Sequence, residues 1–471
     1  MRVTMAGIES SVIPEEVPGA PPSRSALPRT EGHQPSRSAG TRALASEAPL
    51  QRSLVLAFPR DGRQSTRSCP IPRGGVLIGR GVSLFDLPFD DPGMSIQHAE
   101  IRIESGTAVL RDLGSASGTW VNGRPLHGAH ALAHGDVLRV CDTLLVYSRA
   151  GGADEGEASA GTEPELTGAS PSIAAIRRSI DAVAPHGHTV VVTGETGTGK
   201  EVAARQIHRR SGRPGPFVAV NCGAFTEGLL ASELFGHVRG AFTGAVQDQQ
   251  GLFRSARGGT LLLDDVAELP LSLQPTLLRV LETWQVRPVG STRDVDVDVR
   301  VVATTNRELL AMVHEGLFRS DLYARLAQWT IRLPPLRERR EDIPALTNTL
   351  LSRCDAPGRR LTPDLQEALL VHDWPMNVRW LLNVLSVATI VTPSGALALG
   401  DEVRSALRRD LPERAVPRDE AQGLDKAGLE DLLGRFRGRV AELARHRGVT
   451  RPRLYRLLWA EGLDPARFRG R

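Results

Sequence analysis

The chain changes its hydrophobic rhythm several times. Between residues 52 and 148, short strand-like runs follow one another, several alternating apolar with polar positions: SLVLAF, GVLIGR, AEIRIE, TAVLRDL, TWVNG, DVLRV and TLLVYS. Gly, Asp and Asn separate them. This period-2 pattern with frequent turn residues predicts a small β-sandwich over 51–148. From residue 167 the apolar runs become TVVVTG, FVAVNC, TLLLDD, VRVVATT and WTIRLP, interleaved with helical stretches such as EVAARQIHRR and LQPTLLRVLETW. That alternation predicts an α/β domain over 167–400 with a mainly parallel sheet. Its last part, about 341–400, loses the strand runs and reads as helical.

The remaining stretches lack such a pattern. Residues 1–50 are rich in Pro, Ser, Gly, Ala and Arg and read as a disordered leader. Residues 149–166, RAGGADEGEASAGTEPEL, form a polar, acidic linker, and a second linker spans 401–422. Residues 423–471 are helical, arginine-rich and all-α. The expected fold class is therefore multidomain: an N-terminal β-sandwich, a central α/β domain and a C-terminal all-α unit.

Composition alters this picture little. With 471 residues and a formal net charge of +4, overall charge announces no nucleic-acid partner, so a basic patch must be local. The four cysteines (Cys69, Cys141, Cys222, Cys354) are scattered, which suggests neither a disulfide framework nor a zinc site. No apolar run approaches a membrane span and no signal peptide is visible, so no membrane partner and a cytoplasmic location are expected. Of the 58 basic residues only Lys200 and Lys426 are lysine.

Lys200 closes GETGTGK, residues 194–200, which follows a strand and opens a helix. Gly194, Gly197 and Gly199 let backbone N–H groups converge on phosphates, with Glu195, Thr196 and Thr198 between them. Lys200 adds a point charge at the position where arginine would be too long and forked. The next residue is Glu201, where such loops usually carry Ser or Thr. The strand GGTLLLDD ends on Asp264 and Asp265: one carboxylate can hold Mg²⁺ and a second can position or activate the attacking water. Thr305 and Asn306 end a third strand, where they suit polar contacts near a γ-phosphate. ATP with Mg²⁺ is the expected cofactor pair.

GAFTGA at 240–245 (Gly240, Ala241, Phe242, Thr243, Gly244, Ala245) holds no acid, base, thiol or metal ligand. Taken alone, it could be a turn.

GETGTGKE, ELFGHVRGAFTGA, GGTLLLDD, ATTNREL, FRSDLYARL and WPMNVR occur in this order across about 167–395. Together they resemble the AAA+ domain of bacterial sigma-54-dependent transcriptional activators. The resemblance implies that the chain is an ATPase and that 341–400 is its lid. It implies Arg319 and Arg325 acting in trans as arginine fingers, Arg379 sensing nucleotide from the lid, and Asn221 holding or releasing the catalytic acid. Fingers in trans imply a hexameric ring. The resemblance also gives GAFTGA its role: a loop raised and lowered by ATP turnover that touches the sigma-54 subunit of RNA polymerase. The chain departs from the family in having Asp265 where Glu is usual, a carboxylate shorter by roughly 1.5 Å. It also has Met376 and Trp380 around Asn377 and Arg379.

GR at 79–80, SIQH at 95–98 and DLGSASGTWVNG at 112–123 resemble a forkhead-associated (FHA) domain, which implies binding of a phosphothreonine protein or peptide. Carried over, Arg80 and Ser95 contact the phosphate by charge-assisted hydrogen bonds. Thr119 assists, Asn122 holds peptide or loop, and His98 buttresses the loop. Ile96 and Ser117 stand where Arg and Asn are frequent, which leaves the phosphate site leaner in charge.

GRVAELARHRGVTRPRLYRLLWAEGL at 438–463 shows a helix-turn-helix pattern and resembles a Fis-like DNA-binding domain. Thr450 caps the second helix, and Arg451, Arg453, Tyr455 and Arg456 are the candidate contacts to upstream enhancer DNA. The reading as a whole is an ATP-driven activator of sigma-54 promoters under phosphothreonine control. The alternatives are a phosphopeptide-responsive DNA-binding regulator with weak or absent hydrolysis, and an unrelated AAA+ remodeller.

Overall fold

A computed structural model describes residues 52–60, 67–82, 84, 89, 91–149, 166–408 and 426–436, with 443, 463 and 468. The expected leader, most of both linkers and the DNA-contact residues Thr450, Arg451, Arg453, Tyr455 and Arg456 lie outside the described residues.

The alternating N-terminal runs form strands β1 (Arg52–Phe58), β2 (Ser68–Pro70), β3 (Val76–Ile78), β4 (Ala99–Glu104), β5 (Thr107–Asp112), β6 (Thr119–Val121), β7 (Arg124–Pro125), β8 (Ala129–Ala131), β9 (Val137–Val140) and β10 (Thr143–Arg149). They make two antiparallel sheets, ordered β2-β1-β10-β9-β6-β7 and β3-β4-β5-β8. Leu54, Leu56, Leu138, Leu145 and Tyr147 of the first sheet meet Ile78, Ile101 and Leu110 of the second. Their neighbours Val55, Ala57, Val137, Leu144 and Val146 are buried on the opposite face of the same sheet, in a different core. A strand buried on both faces needs a cover on each side. The cover here is the helical lid.

The α/β domain comprises helix α1 (Pro171–Val183), β11 (Val190–Thr193), α2 (Lys200–Arg210), β12 (Phe217–Asn221), α3 (Glu227–Phe235), the hairpin β13 (Gly236–His237) and β14 (Gln249–Gln250), α4 (Leu252–Ser255), β15 (Thr260–Asp264) and α5 (Gln274–Thr283). The hairpin β16 (Gln285–Val286) and β17 (Val295–Asp296), then β18 (Arg300–Thr305), α6 (Leu309–His314), α7 (Ser320–Leu326) and β19 (Trp329–Arg332) complete it. The main sheet is wholly parallel, in the order β12-β15-β18-β11-β19. Leu262 points into one layer with Ile173, Ile180 and Ile207 of α1 and α2. Leu261 and Leu263 point into the other with Leu230, Leu277 and Leu322 of α3, α5 and α7. Because every strand runs the same way, Thr193, Asn221, Asp264 and Thr305 end on one edge. Register pairs Asn221 with Asp264 and Thr193 with Thr305 across it.

The lid consists of α8 (Ile343–Arg353), α9 (Pro363–Val371), α10 (Asn377–Val391) and α11 (Asp401–Leu407). The last of these lies where the sequence suggested a linker. Trp380 Nε1 donates to Ala406 O over 3.1 Å and the His372 ring meets Leu407 O at 3.0 Å, so α11 is bound to the lid. Beyond it, α12 (Lys426–Arg435) contributes Leu429 and Leu433 to a small apolar cluster with Leu443 and Leu463.

Candidate functional site

The loop between β11 and α2 has its three interior glycines at positive φ: Gly194 at 154°, Gly197 at 80° and Gly199 at 106°. Only glycine adopts such backbone readily, and it lets the loop curl over the N-terminus of α2. Lys200 is buried and its ammonium donates to the carbonyls of Gly194 (2.9 Å) and Glu195 (3.2 Å). Burial lowers the lysine's proton affinity, and Asp265 and Asp264 nearby partly restore it. The buried Thr198 spends its hydroxyl on Glu195 O at 2.8 Å.

The two glutamates of this stretch are engaged in ion pairs. Glu195 forms a bidentate pair with Arg337 at 2.6 and 2.9 Å and accepts from Asn377 Nδ2 at 3.2 Å. The Arg337 hydrogen bonds hold its carboxyl below the ordinary range. Glu201 pairs with Arg205 one turn along α2.

The acids at the end of β15 differ in environment. Asp264 accepts from Asn221 Nδ2 at 3.3 Å and from the Thr304 hydroxyl. Asp265 turns into the left-handed region at φ 51°, its N–H bound to Thr304 Oγ1 at 3.2 Å. Burial first and the charge of Asp264 second push the Asp265 carboxyl above its usual value, against the pull of Lys200. Thr305 sends its hydroxyl to the backbone of Arg307, while Asn306 reaches Thr196 Oγ1 at 3.3 Å.

The lid closes directly onto this loop. Val378 N–H donates to Gly197 O at 3.0 Å and Asn377 Nδ2 to Thr196 O at 3.0 Å. A Cβ on Gly197 would lie 2.2 Å from Met376 O and 3.1 Å from Arg379 Cβ, so Arg379 stands against the phosphate loop. Arg339, buried at the approach to the lid, donates to Thr198 O at 3.0 Å. Sequence reasoning missed Thr304, Arg337, Arg339 and Asn377. For Asn377, its place beside Arg379 in WPMNVR was a usable signal.

The two other candidate arginines are elsewhere. Arg319 caps α7 and pairs with Asp321 at 2.7 Å, half-exposed. Arg325 donates to Leu281 O through Nε (3.0 Å) and Nη2 (2.8 Å).

GAFTGA lies in the loop between β13 and β14. Gly240 and Gly244 sit at φ 82° and 105° with open space around a would-be Cβ, so conformation and not crowding calls for glycine. Gly240 N–H donates to Ala245 O at 2.9 Å and closes the loop. Phe242 remains 41% exposed, its ring edge-on to His237 at 5.0 Å between centroids. The second hairpin supports the base: a Cβ on Gly290 would meet Ala241 Cβ at 2.7 Å.

In the sandwich, Arg80 and Ser95 meet at one end, where Arg80 N–H donates to Ser95 O at 2.9 Å. The exposed Arg80 guanidinium reaches Pro92 O at 3.5 Å. Ser95 Oγ accepts from Ala116 N–H at 3.2 Å, and Ser117 is exposed beside it. His98 is fully buried: Nδ1 accepts from Ser95 N–H at 3.2 Å, and Nε2 lies 3.1 Å from Gly118 O. Thr119 is also buried, its hydroxyl on Asp112 at 2.6 Å, so it shapes the loop from beneath. Asn122 binds Asp136 at 2.8 Å and Val137 N–H at 2.9 Å and acts as a loop brace.

Residues 166–332 match the family described as Sigma-54 interaction domain, residues 76–141 the FHA domain and residues 337–418 the AAA+ ATPase lid domain. The chain is 40% identical over 307 residues to the transcriptional regulatory protein GlrR of Escherichia coli (strain K12), covering 64% of this chain and 68% of that one. It is 43% identical over 277 residues to the sigma54-dependent transcriptional activator SfnR of Pseudomonas putida, covering 58% and 74% respectively. The crystal structure of NtrX from Brucella abortus in complex with ATP aligns with 64% of this chain and 70% of that chain, at 33% identity and a TM-score of 0.48. Among the described residues, no helix is long and apolar enough to cross a membrane.

Proposed function

The chain belongs to the family of sigma-54-dependent transcriptional activators, and from that premise we propose that it hydrolyses ATP to drive a GAFTGA loop against sigma-54 RNA polymerase. The observation that carries this reading is the common edge of the parallel sheet. Lys200, Asn221, Asp264, Asp265 and Thr305 gather there around one glycine-rich loop, with Arg379 of the lid above it.

The residues fit a nucleotide triphosphate with Mg²⁺. The curled loop and the α2 N-terminus suit anionic oxygens. Mg²⁺ is commonly held by one or two carboxylates plus substrate phosphates, and Asp264 at the strand end supplies that carboxylate. When bound, the ion neutralises charge on the phosphate oxygens. Asn221 and Thr304 fix the orientation of Asp264. Asp265 is the base that takes a proton from the attacking water, a role its raised proton affinity and the nearby charge of Lys200 support. Arg319 and Arg325 serve a neighbouring subunit's nucleotide in a hexamer, exchanging Asp321 and the Leu281 carbonyl for phosphate oxygens. Arg379 links nucleotide state to the lid.

Phe242 and Thr243 are the polymerase contact, carried on a loop that two positive-φ glycines allow to change shape. Arg80 and Ser95 receive a phosphothreonine, and residues 423–471 tether the ring to enhancer DNA. A second reading, a DNA-binding regulator with weak hydrolysis, rests on the short side chain of Asp265. Steady-state ATPase measurements on the wild-type chain and Lys200→Ala separate the two. The proposal expects turnover that the substitution abolishes; equally negligible rates in both proteins support the second reading.

A further inference from the structure

β9 carries one charged side chain in an otherwise apolar strand, Arg139, and this residue belongs to two places at once. On one side it holds the lid: Nη1 donates to Glu367 Oε2 at 2.8 Å and to Asp364 Oδ1 at 3.1 Å, both on α9. On the other side it lines a cleft of about 680 Å³ with Arg60, Gly93, Ser117, Trp120 and Asp142. That cleft adjoins the proposed phosphothreonine site. Ser117 Oγ donates to Gly93 O at 3.4 Å, and the Arg80 guanidinium rests on the carbonyl of Pro92 next to it. Asp91, also in the cleft wall, is buried and spends its oxygens on Gly93 N–H, Asp142 N–H and the Thr143 hydroxyl. Arg60, 3.9 Å from the cleft's other acid Asp142, and Arg139 are thus the cleft's cations, and Ile96 leaves the phosphate site short of one.

The lid pays attention to this arginine through Glu367. That carboxylate is largely buried, and its Oε1 has no hydrogen-bond partner. Without Arg139 it would be an uncompensated buried charge, which is strongly unfavourable. Around the ion pair, Phe58, Val137, Leu144 and Val146 share a continuous apolar core with Ile343, Leu346 and Leu369 of the lid. His134 meets Glu338 O at 3.3 Å, and Arg340 donates to Gly135 O at 3.3 Å.

We propose that an anionic ligand in this cleft, a phosphothreonine peptide with its flanking acidic groups, competes with Glu367 and Asp364 for Arg139, so that peptide binding and docking of the sandwich on the lid oppose each other. This inference rests on the phosphopeptide reading of Arg80 and Ser95. It names Arg139 as the link between that site and the lid that closes over the phosphate loop. Linkage makes the effect reciprocal: docking weakens peptide binding by the factor with which peptide weakens docking, and removing the lid's acids should therefore strengthen peptide binding.

The test uses the full chain, a degenerate phosphothreonine peptide pool containing acidic flanks, and the same pool with unphosphorylated threonine. Affinity is measured by fluorescence anisotropy for the wild type and for Asp364→Asn/Glu367→Gln, which leaves the sandwich sequence intact. The double variant is expected to bind the phosphorylated pool about fivefold or more tighter. In the wild type, that pool should speed amide hydrogen exchange in α9 and β9, a readout that needs no variant. Equal affinity of the two proteins for the phosphorylated pool, or unchanged exchange on binding, overturns the competition. Failure of both proteins to prefer the phosphorylated pool overturns the phosphopeptide reading itself, and the competition with it.

Discussion

Asn221 and Asp264 lie opposite each other at the ends of β12 and β15, and the Asn221 amide donates to Asp264 Oδ2 at 3.3 Å. With Thr304 on its other oxygen, Asp264 is held in place by two donors. Asp265 is the neighbouring acid whose carboxyl burial and charge repulsion push upward. Asp265→Asn should keep ATP binding and lower turnover by about 100-fold, measured by steady-state hydrolysis alongside nucleotide affinity. Protonation of a raised carboxyl removes the base, so turnover should fall as pH drops through a value above the ordinary 3.8 of aspartate.

Asn377 joins the lid to the phosphate loop. It is fully buried at φ 52°, and its Oδ1 accepts from Leu336 N–H at 2.7 Å while Nδ2 donates to Thr196 O at 3.0 Å. Asn377→Ala leaves buried backbone groups unpaired and places alanine in the left-handed region. The expected loss is about 2 kcal/mol of stability, with weaker ATP binding. Asn377→Gly relieves the backbone term alone, so it should recover part of the stability and none of the ATP affinity. Thermal unfolding and nucleotide titration check both outcomes.

Glu341 lies in the single turn Arg340–Asp342 that packs against β10. Burial, and then the charge of Asp342, push its carboxyl up to about 7, and Oε2 has no hydrogen-bond partner. An acid with a raised folded-state pKa binds its proton more tightly when folded, so its contribution is fully present below 4.5 and lost as pH rises through about 7. The loss is roughly 3 kcal/mol. Glu341→Gln stays neutral, so it should unfold at a higher temperature than wild type at pH 8 and show little difference at pH 4.

The phosphate loop and the strand-end acids were legible because their chemistry is local: glycines, a lysine and two aspartates must follow particular strands. Partners across the fold were not. Arg139 and Glu367 are separated by 228 positions, and no spacing rule connects them. The lid cover over β1 did leave a trace. LVLAF at 54–58 is apolar at every position, which a sandwich strand with one wet face would not be. The seven-residue helix α11 escaped because DEVRSAL is short and polar, and what holds it is tertiary: Val403 and Ala406 pack on the lid, and Trp380 and His372 bond its last carbonyls. Thr119 looked like a ligand contact from its motif, while its hydroxyl is taken by Asp112.

The most direct measurement is open-complex formation at a sigma-54 promoter with purified polymerase, comparing wild type with Thr243→Ala and recording ATP turnover in the same samples. Thr243 lies between Phe242 and the φ 105° turn at Gly244, away from the phosphate loop in sequence. The account predicts near-wild-type hydrolysis and loss of open complexes in the variant. Equal open-complex formation by both proteins would contradict it.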